Sequence, residues 1–171
     1  TKTAIKKVSV DYCGHVSGLN TKPLTAIVLK GLLTPLLESV NMVSAPTVAR
    51  ERNIEITEAT SETLDEFQTL IKLTITTEKQ VRSVAGTLSH GDRPRVVEIK
   101  DIAIDAELGP NMLYITNEDK PGFIGNLGTT LGDAGINIAT FNLGRQKTHG
   151  DSIALIETDG PVPDEIAEKV R

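Results

Sequence analysis

Aromatic residues are nearly missing from this chain of 171 residues: two tyrosines, three phenylalanines and no tryptophan. A core without large rings has to be aliphatic, packed from Val, Ile, Leu and Ala through sheets. Cysteine is scarce as well. Cys13 stands alone, so no internal disulfide can form and a reducing, cytoplasmic setting is expected. Positive charge is not in excess. The net charge of −5 denies the chain the basic face that non-specific nucleic-acid binding needs. No apolar run reaches membrane-spanning length, because Lys30 and Pro35 interrupt the longest one, and no membrane partner is expected. The opening TKTAIKK has no apolar signal core. Neither GxGxxG nor a Walker loop occurs, which argues against a dinucleotide site within the chain, and no cofactor is expected in it. His15, His90 and His149 lie too far apart for ligand spacing, so no metal is expected. Cys13 beside Gly14 and His15 lacks the third partner a nucleophile needs, and no catalytic residue is assigned.

What is present is ordinary for a globular protein: 39% hydrophobic and 24% charged residues, long enough for two small domains. Residues 6–12 alternate, with Val8, Val10 and Tyr12 on one side, and predict a strand. From Thr21 the spacing turns helical, through Leu24, Ile27, Val28, Leu32, Leu36 and Val40, with Pro23 near the start. Pro35 predicts a kink or a break. A short helix is predicted from Pro46 to Arg52 with Asn53 as its stop, then a strand over 54–58 and an acidic stretch. Three strands follow at 69–76, 81–88 and 96–104. Gly109-Pro110, within 105–111, marks a domain boundary, giving domains 1–108 and 109–171.

The second module is the informative one. Over 112–145 the chain reads as a strand, an acidic Asp-Lys-Pro-Gly turn, a glycine-bearing helix from about Phe123 to Ala134, a Gly135 stop and a strand from Ile136. That strand pairs through a polar hairpin with 152–158, and Pro163 opens a last helix with Asp164 and Glu165 in its first turn. The order is β-α-β-β-α, one strand short of the ferredoxin-like unit, with the last strand expected beyond Arg171. A chain that starts without Met and ends in a helical pattern reads as a piece of something longer. The expected class is α+β: two small α/β-sandwich modules, the second ferredoxin-like.

In the loop 117–122, unpartnered N–H groups at the helix start favour an anion, and Asp119 can hold an ammonium or hydroxyl. A plain helix cap, worth about 1 kcal/mol, explains Asp119 equally well. Asn137 opens the strand expected to lie beside 113–117, so its amide is expected to face the same turn. With Asp119 it matches an α-amino acid, which points to sensing rather than chemistry. Gly125, Gly128 and Gly132 form one helical stripe and predict close approach of a strand or a partner backbone. Arg93, Arg95 and Lys100 are candidates for binding phosphate or a phosphorylated substrate, or else solvated surface cations.

The segments NEDKPGFIG and GTTLGDAGINI, with the strand after them, resemble the ACT domain family. Over nearly its whole length the chain is similar to the C-terminal regulatory region of the D-3-phosphoglycerate dehydrogenase family. LTAIVLKGLLTPLLESVNMVSAPTVARERNIEITE and SVAGTLSHGDRPRVVEI carry that likeness, the former in the module called the intervening or allosteric-substrate-binding domain. The resemblance implies a homo-oligomer joined through ACT modules that binds L-serine for feedback control. It implies an NAD-dependent oxidation of 3-phosphoglycerate carried out by catalytic domains not contained here. Its effector contacts fall on Asn117, Asp119, Pro121, Gly122 and Asn137, shared between two subunits, with Asn117 where relatives often carry Tyr or His. Of its basic anion-binding positions one falls on Arg95, while Ile102 and Glu107 occupy two others and cannot replace a cation. A regulatory subunit of an iron–sulfur L-serine dehydratase, or a purely structural dimerisation module, are the alternative readings.

Overall fold

The computed structural model describes residues 4–37, 39–62, 66–89, 92–118, 120–146 and 150–170. The chain falls into two compact units, Thr1–Thr87 and Leu88–Arg171. Among the described residues no helix is long and apolar enough to cross a membrane.

In the first unit, β1 (Ile5–Gly14) follows the predicted alternation, burying Val8, Val10 and Tyr12. It ends at Gly14, whose φ of 76° suits glycine. Helix α1 (Lys22–Leu33) carries Pro near its first position and gives way at Pro35 to a short 3-10 turn, Thr34–Leu36. The proline therefore ends the helix rather than kinking it. Asn41 opens the approach to α2 (Ala45–Glu51) by accepting from the N–H groups of Val43 and Ser44, both at 2.9 Å. Asn53 is the predicted stop, at φ 55°. Strands β2 (Glu55–Ser61), β3 (Thr69–Thr77) and β4 (Val81–Ser89) complete the order β2-β1-β3-β4, with β2 parallel to β1 and the other pairs antiparallel. The helices bury Leu29, Leu33, Ala45 and Ala49 on Val8, Val10 and Tyr12. Full burial of a large aliphatic side chain contributes about 1.5–3 kcal/mol.

One polar chain crosses that core. Thr25 donates to the Glu58 carboxylate at 2.5 Å, so its oxygen accepts from the Tyr12 hydroxyl at 2.7 Å. Burial pushes the Tyr12 hydroxyl above its usual range, and the Glu58 charge adds to it.

In the second unit the predicted strand 96–104 is instead a hairpin, β5 (Arg93–Ile99) and β6 (Ile102–Glu107). Lys100 and Asp101 form the turn, both with positive φ (51° and 60°), the conformation a two-residue hairpin with right-twisted strands requires. Then come β7 (Met112–Glu118), α3 (Phe123–Asp133), β8 (Ile138–Arg145), β9 (Asp151–Thr158) and α4 (Asp164–Lys169). The fold class is α+β, as expected. Gly135 closes α3 at φ 72°, with Ile136 N–H reaching back to the Leu131 carbonyl at 2.9 Å.

The sheet order is β7-β9-β8. Strand β8 thus does not lie beside β7. Its hairpin partner β9 occupies that place, paired to both neighbours and buried from Ser152 through Ile156. One face packs Ala154 and Ile156 against Leu127 and Leu131 of α3. On the other face Gly144 meets β6: a methyl group added there would lie 2.6 Å from the Ala103 carbonyl oxygen. Gly125, Gly128 and Gly132, by contrast, have no atom from outside the helix's own local backbone within 4 Å of where a Cβ would sit, among the described residues. The expected close approach to α3 is not made within this chain, among the described residues.

Gly144→Ala is expected to lower unfolding stability by about 1–3 kcal/mol, because a backbone oxygen cannot move aside cheaply. Gly128→Ala should be neutral or stabilising by up to about 1 kcal/mol. Urea unfolding of both variants checks the contrast.

Candidate functional site

Strand β7 delivers Asn117 and Glu118 to the sheet's end, and the turn through Lys120, Pro121 and Gly122 leads straight into α3. Asp119 lies outside the described residues. Gly122 is the residue before the helix and has φ 93°, a backbone that a side chain would strain. Its carbonyl accepts the first helical bond, from Asn126 N–H at 2.9 Å. The N–H groups of the first turn, Phe123 to Gly125, therefore have no partner inside the helix and favour a negative group.

Two clefts flank this turn. One of about 540 Å³ is lined by Asn117, Pro121 and Gly122 together with Asn126, Thr130 and Lys169. The other, of about 300 Å³, lies between the turn and the sheet, against Ile124, Leu143, Arg145 and Ser152. Lys120 borders both. The buried Ser152 hydroxyl donates to the Asn117 carbonyl at 3.1 Å and so pins the strand end that presents Asn117. Lys120 pairs with Glu118. The hydrogen bond from Lys120, and then its charge, hold the Glu118 carboxyl below its ordinary range.

Three of the sequence-predicted residues, Asn117, Pro121 and Gly122, thus share one cleft. Asn137 does not join them. Asn117 pairs with Ser152 on β9, whereas β8 begins opposite Thr158. Along β9 that separation is roughly 20 Å at the usual rise of a strand. The expectation that Asn137 faces the same turn is corrected by the topology. An antiparallel hairpin starts its first strand where its second one ends. Asn137 instead donates from Nδ2 to Asp159 Oδ2 at 2.7 Å, and its carbonyl accepts from Asp159 N–H at 3.2 Å.

Arg93 and Arg95 stand two apart on β5, and Lys100 lies in the turn beyond its other end. Arg95 is held by two carboxylates across the hairpin, Asp105 at 2.5 Å and Glu107 at 2.9 Å. The hydrogen bond to Asp105, more than any other cause, raises its guanidinium further above the ordinary value. An anion there must displace both acids. Lys100 sits in the hairpin turn and Arg93 is exposed at the strand's start. Sequence reasoning passed over Asn126, Thr130 and Lys169. The first two were within reach, since they stand four apart on α3, on the stripe that Leu127 anchors.

Residues 1–100 match the family model of the D-3-phosphoglycerate dehydrogenase intervening domain, and residues 111–171 match that of the ACT domain. The chain is similar to the D-3-phosphoglycerate dehydrogenase of Methanocaldococcus jannaschii, 34% identical over 170 residues that cover 98% of this chain and 32% of that protein. The enzyme of the same name from Bacillus subtilis is 32% identical, covering 99% of this chain and 32% of the relative. The chain thus spans about a third of the length of the curated relatives it matches.

Lys120→Met should return the Glu118 carboxyl to the ordinary range. In a carboxyl-detected NMR titration its midpoint is expected to move up, and an unchanged midpoint would remove Lys120 as the cause.

Proposed function

The chain belongs to the D-3-phosphoglycerate dehydrogenase intervening-domain family and carries an ACT domain behind it, and from this we propose that it is the regulatory part of such a dehydrogenase. In this reading it binds L-serine as a feedback effector, at sites each built from two copies of the chain. NAD-dependent oxidation of 3-phosphoglycerate belongs to catalytic domains of the whole enzyme, and no step of it is assigned to these residues.

The observation that carries the reading is the placement of Asn117 and Asn137 at opposite ends of one three-stranded sheet. No small zwitterion can touch both in one chain. Strand β8 is an edge of that sheet. Paired antiparallel with its twin about a two-fold axis, it would set the start of one β8 beside the end of the other. Asn137 of the partner subunit then comes to the Arg145 end, where the turn 120–122 lies. The carboxylate of serine is held by the first-turn N–H groups of α3, its ammonium and hydroxyl by Asp119, Asn117 and the partner's Asn137. Charge-assisted hydrogen bonds contribute about 1.5–3 kcal/mol each. Three of them, less the ordering cost, fit roughly micromolar binding, near −8 kcal/mol. Control of a distant active site needs only about 1–3 kcal/mol of preference between two arrangements. The match over 1–100 favours a dehydrogenase over the dehydratase alternative.

Calorimetry with L-serine tests the site. Asp119→Ala, Asn117→Ala and Asn137→Ala are each expected to weaken binding tenfold or more, about 1.4 kcal/mol. Co-refolding Asn117→Ala with Asn137→Ala should restore about one quarter of the native sites, because half the dimers are mixed and each mixed dimer rebuilds one intact site. A site inside one chain would give no restoration. A folded dimer silent to serine would leave only an assembly module.

A further inference from the structure

We infer that Asp159 is a positioning residue of the effector site: it fixes which way the Asn137 carboxamide faces, so that Asn137 offers the ligand an acceptor. This rests on the reading of Asn137 as an effector contact. Asp159 immediately follows β9, and Asn137 immediately precedes β8. The two are joined twice, through Nδ2 to Oδ2 at 2.7 Å and through the Asp159 N–H to the Asn137 carbonyl at 3.2 Å. Backbone pairing thus sets the distance at which the side chains meet.

The chemistry of the pair then decides the orientation. An ionised carboxylate accepts hydrogen bonds and donates none, whereas a carboxamide does one on each side. Asn137 must therefore turn its NH₂ group toward Asp159. What remains for a ligand is Oδ1 and the second N–H hydrogen. An arriving ammonium or hydroxyl finds its acceptor already in place, whereas a carboxylate would find only the one remaining N–H, beside the negative charge of Asp159. This assigns the ligand's donor end to Asn137 and its carboxylate to the start of α3, the polarity an α-amino acid presents. Both side chains are exposed, where a hydrogen bond adds little to folding. Its effect is on orientation.

Without Asp159 the carboxamide is free to flip, and binding must then freeze it. Immobilising one such side chain corresponds to a loss of about three- to tenfold in affinity. The test is a double-mutant cycle on L-serine affinity by calorimetry, using the whole chain. Asp159→Ala is expected to bind about three- to tenfold more weakly than the unsubstituted chain, with a thermal midpoint close to it without ligand. Asp159→Asn, whose carboxamide can turn either a donor or an acceptor to Asn137, no longer fixes the orientation and should recover little of that loss. In an Asn137→Ala background, Asp159→Ala should cost nothing further, because a positioning residue acts only through the group it positions. Unchanged affinity in Asp159→Ala overturns the inference and leaves serine sensing standing. So does an equal loss in the Asn137→Ala background, which would mark general structural damage. No serine binding by the unsubstituted chain overturns the sensing reading itself, and this inference with it.

Discussion

Everything at the candidate site depends on the double pairing of β9. It hydrogen-bonds to β7 on one side and β8 on the other, and its residues from Ser152 to Ile156 are buried against α3 on one face and beneath β6 on the other. A strand held in this way has no register freedom, because a slip of one residue would turn its aliphatic side chains to the wrong layers. Two consequences follow. Ser152 is fixed where its hydroxyl meets the Asn117 carbonyl, and Thr158 is fixed where Asp159 meets Asn137. The same strand that makes both ends precise also holds them apart.

The first unit shows the same economy of polar groups in a different setting. Its core is aliphatic apart from Tyr12, which lies fully buried and would lose several kcal/mol of hydration if its hydroxyl had no partner. Thr25 supplies the acceptor and passes its own proton outward to Glu58 at the surface. The chain of three links α1 to β1 and β2, so a helix otherwise held by non-directional packing acquires one fixed azimuth. Arg95 does comparable work in the second unit, where its two carboxylates lie across the hairpin on β6. Its guanidinium is engaged by those two acids, so an anion at Arg95 would have to compete with them.

Much of this was legible in the sequence because it is written in local periodicity and punctuation. Val8, Val10 and Tyr12 alternate, Pro35 stops α1, Asn53 and Gly135 take left-handed backbones, and Pro163 opens α4 with two acids in its first turn. Two features were not legible. The turn at Lys100-Asp101 carries none of the glycine or asparagine that normally announces positive φ, so β5 and β6 read as one strand. The order β7-β9-β8 is a matter of long-range pairing, and periodicity is silent on which strand sits between two others. The misplacement of Asn137 came from that silence. The residue was singled out as a candidate by its place after Gly135 and by the resemblance, but its neighbourhood had to come from topology.

The glycines of α3 weaken the helix that borders the candidate site. Three of them on an 11-residue helix oppose helix formation by up to about 1 kcal/mol each, a real fraction of the 5–15 kcal/mol that holds a typical domain. Nothing described in this chain approaches Gly125, Gly128 or Gly132 closely enough to need their lack of a side chain. Within the chain that cost is offset by the burial of Leu127 and Leu131 against Ala154 and Ile156. In the proposed site divided between two copies, effector binding and association would share one free energy, and each would strengthen the other by the same factor. A second backbone or a ligand closing over the open glycine stripe of α3 would add to that shared term.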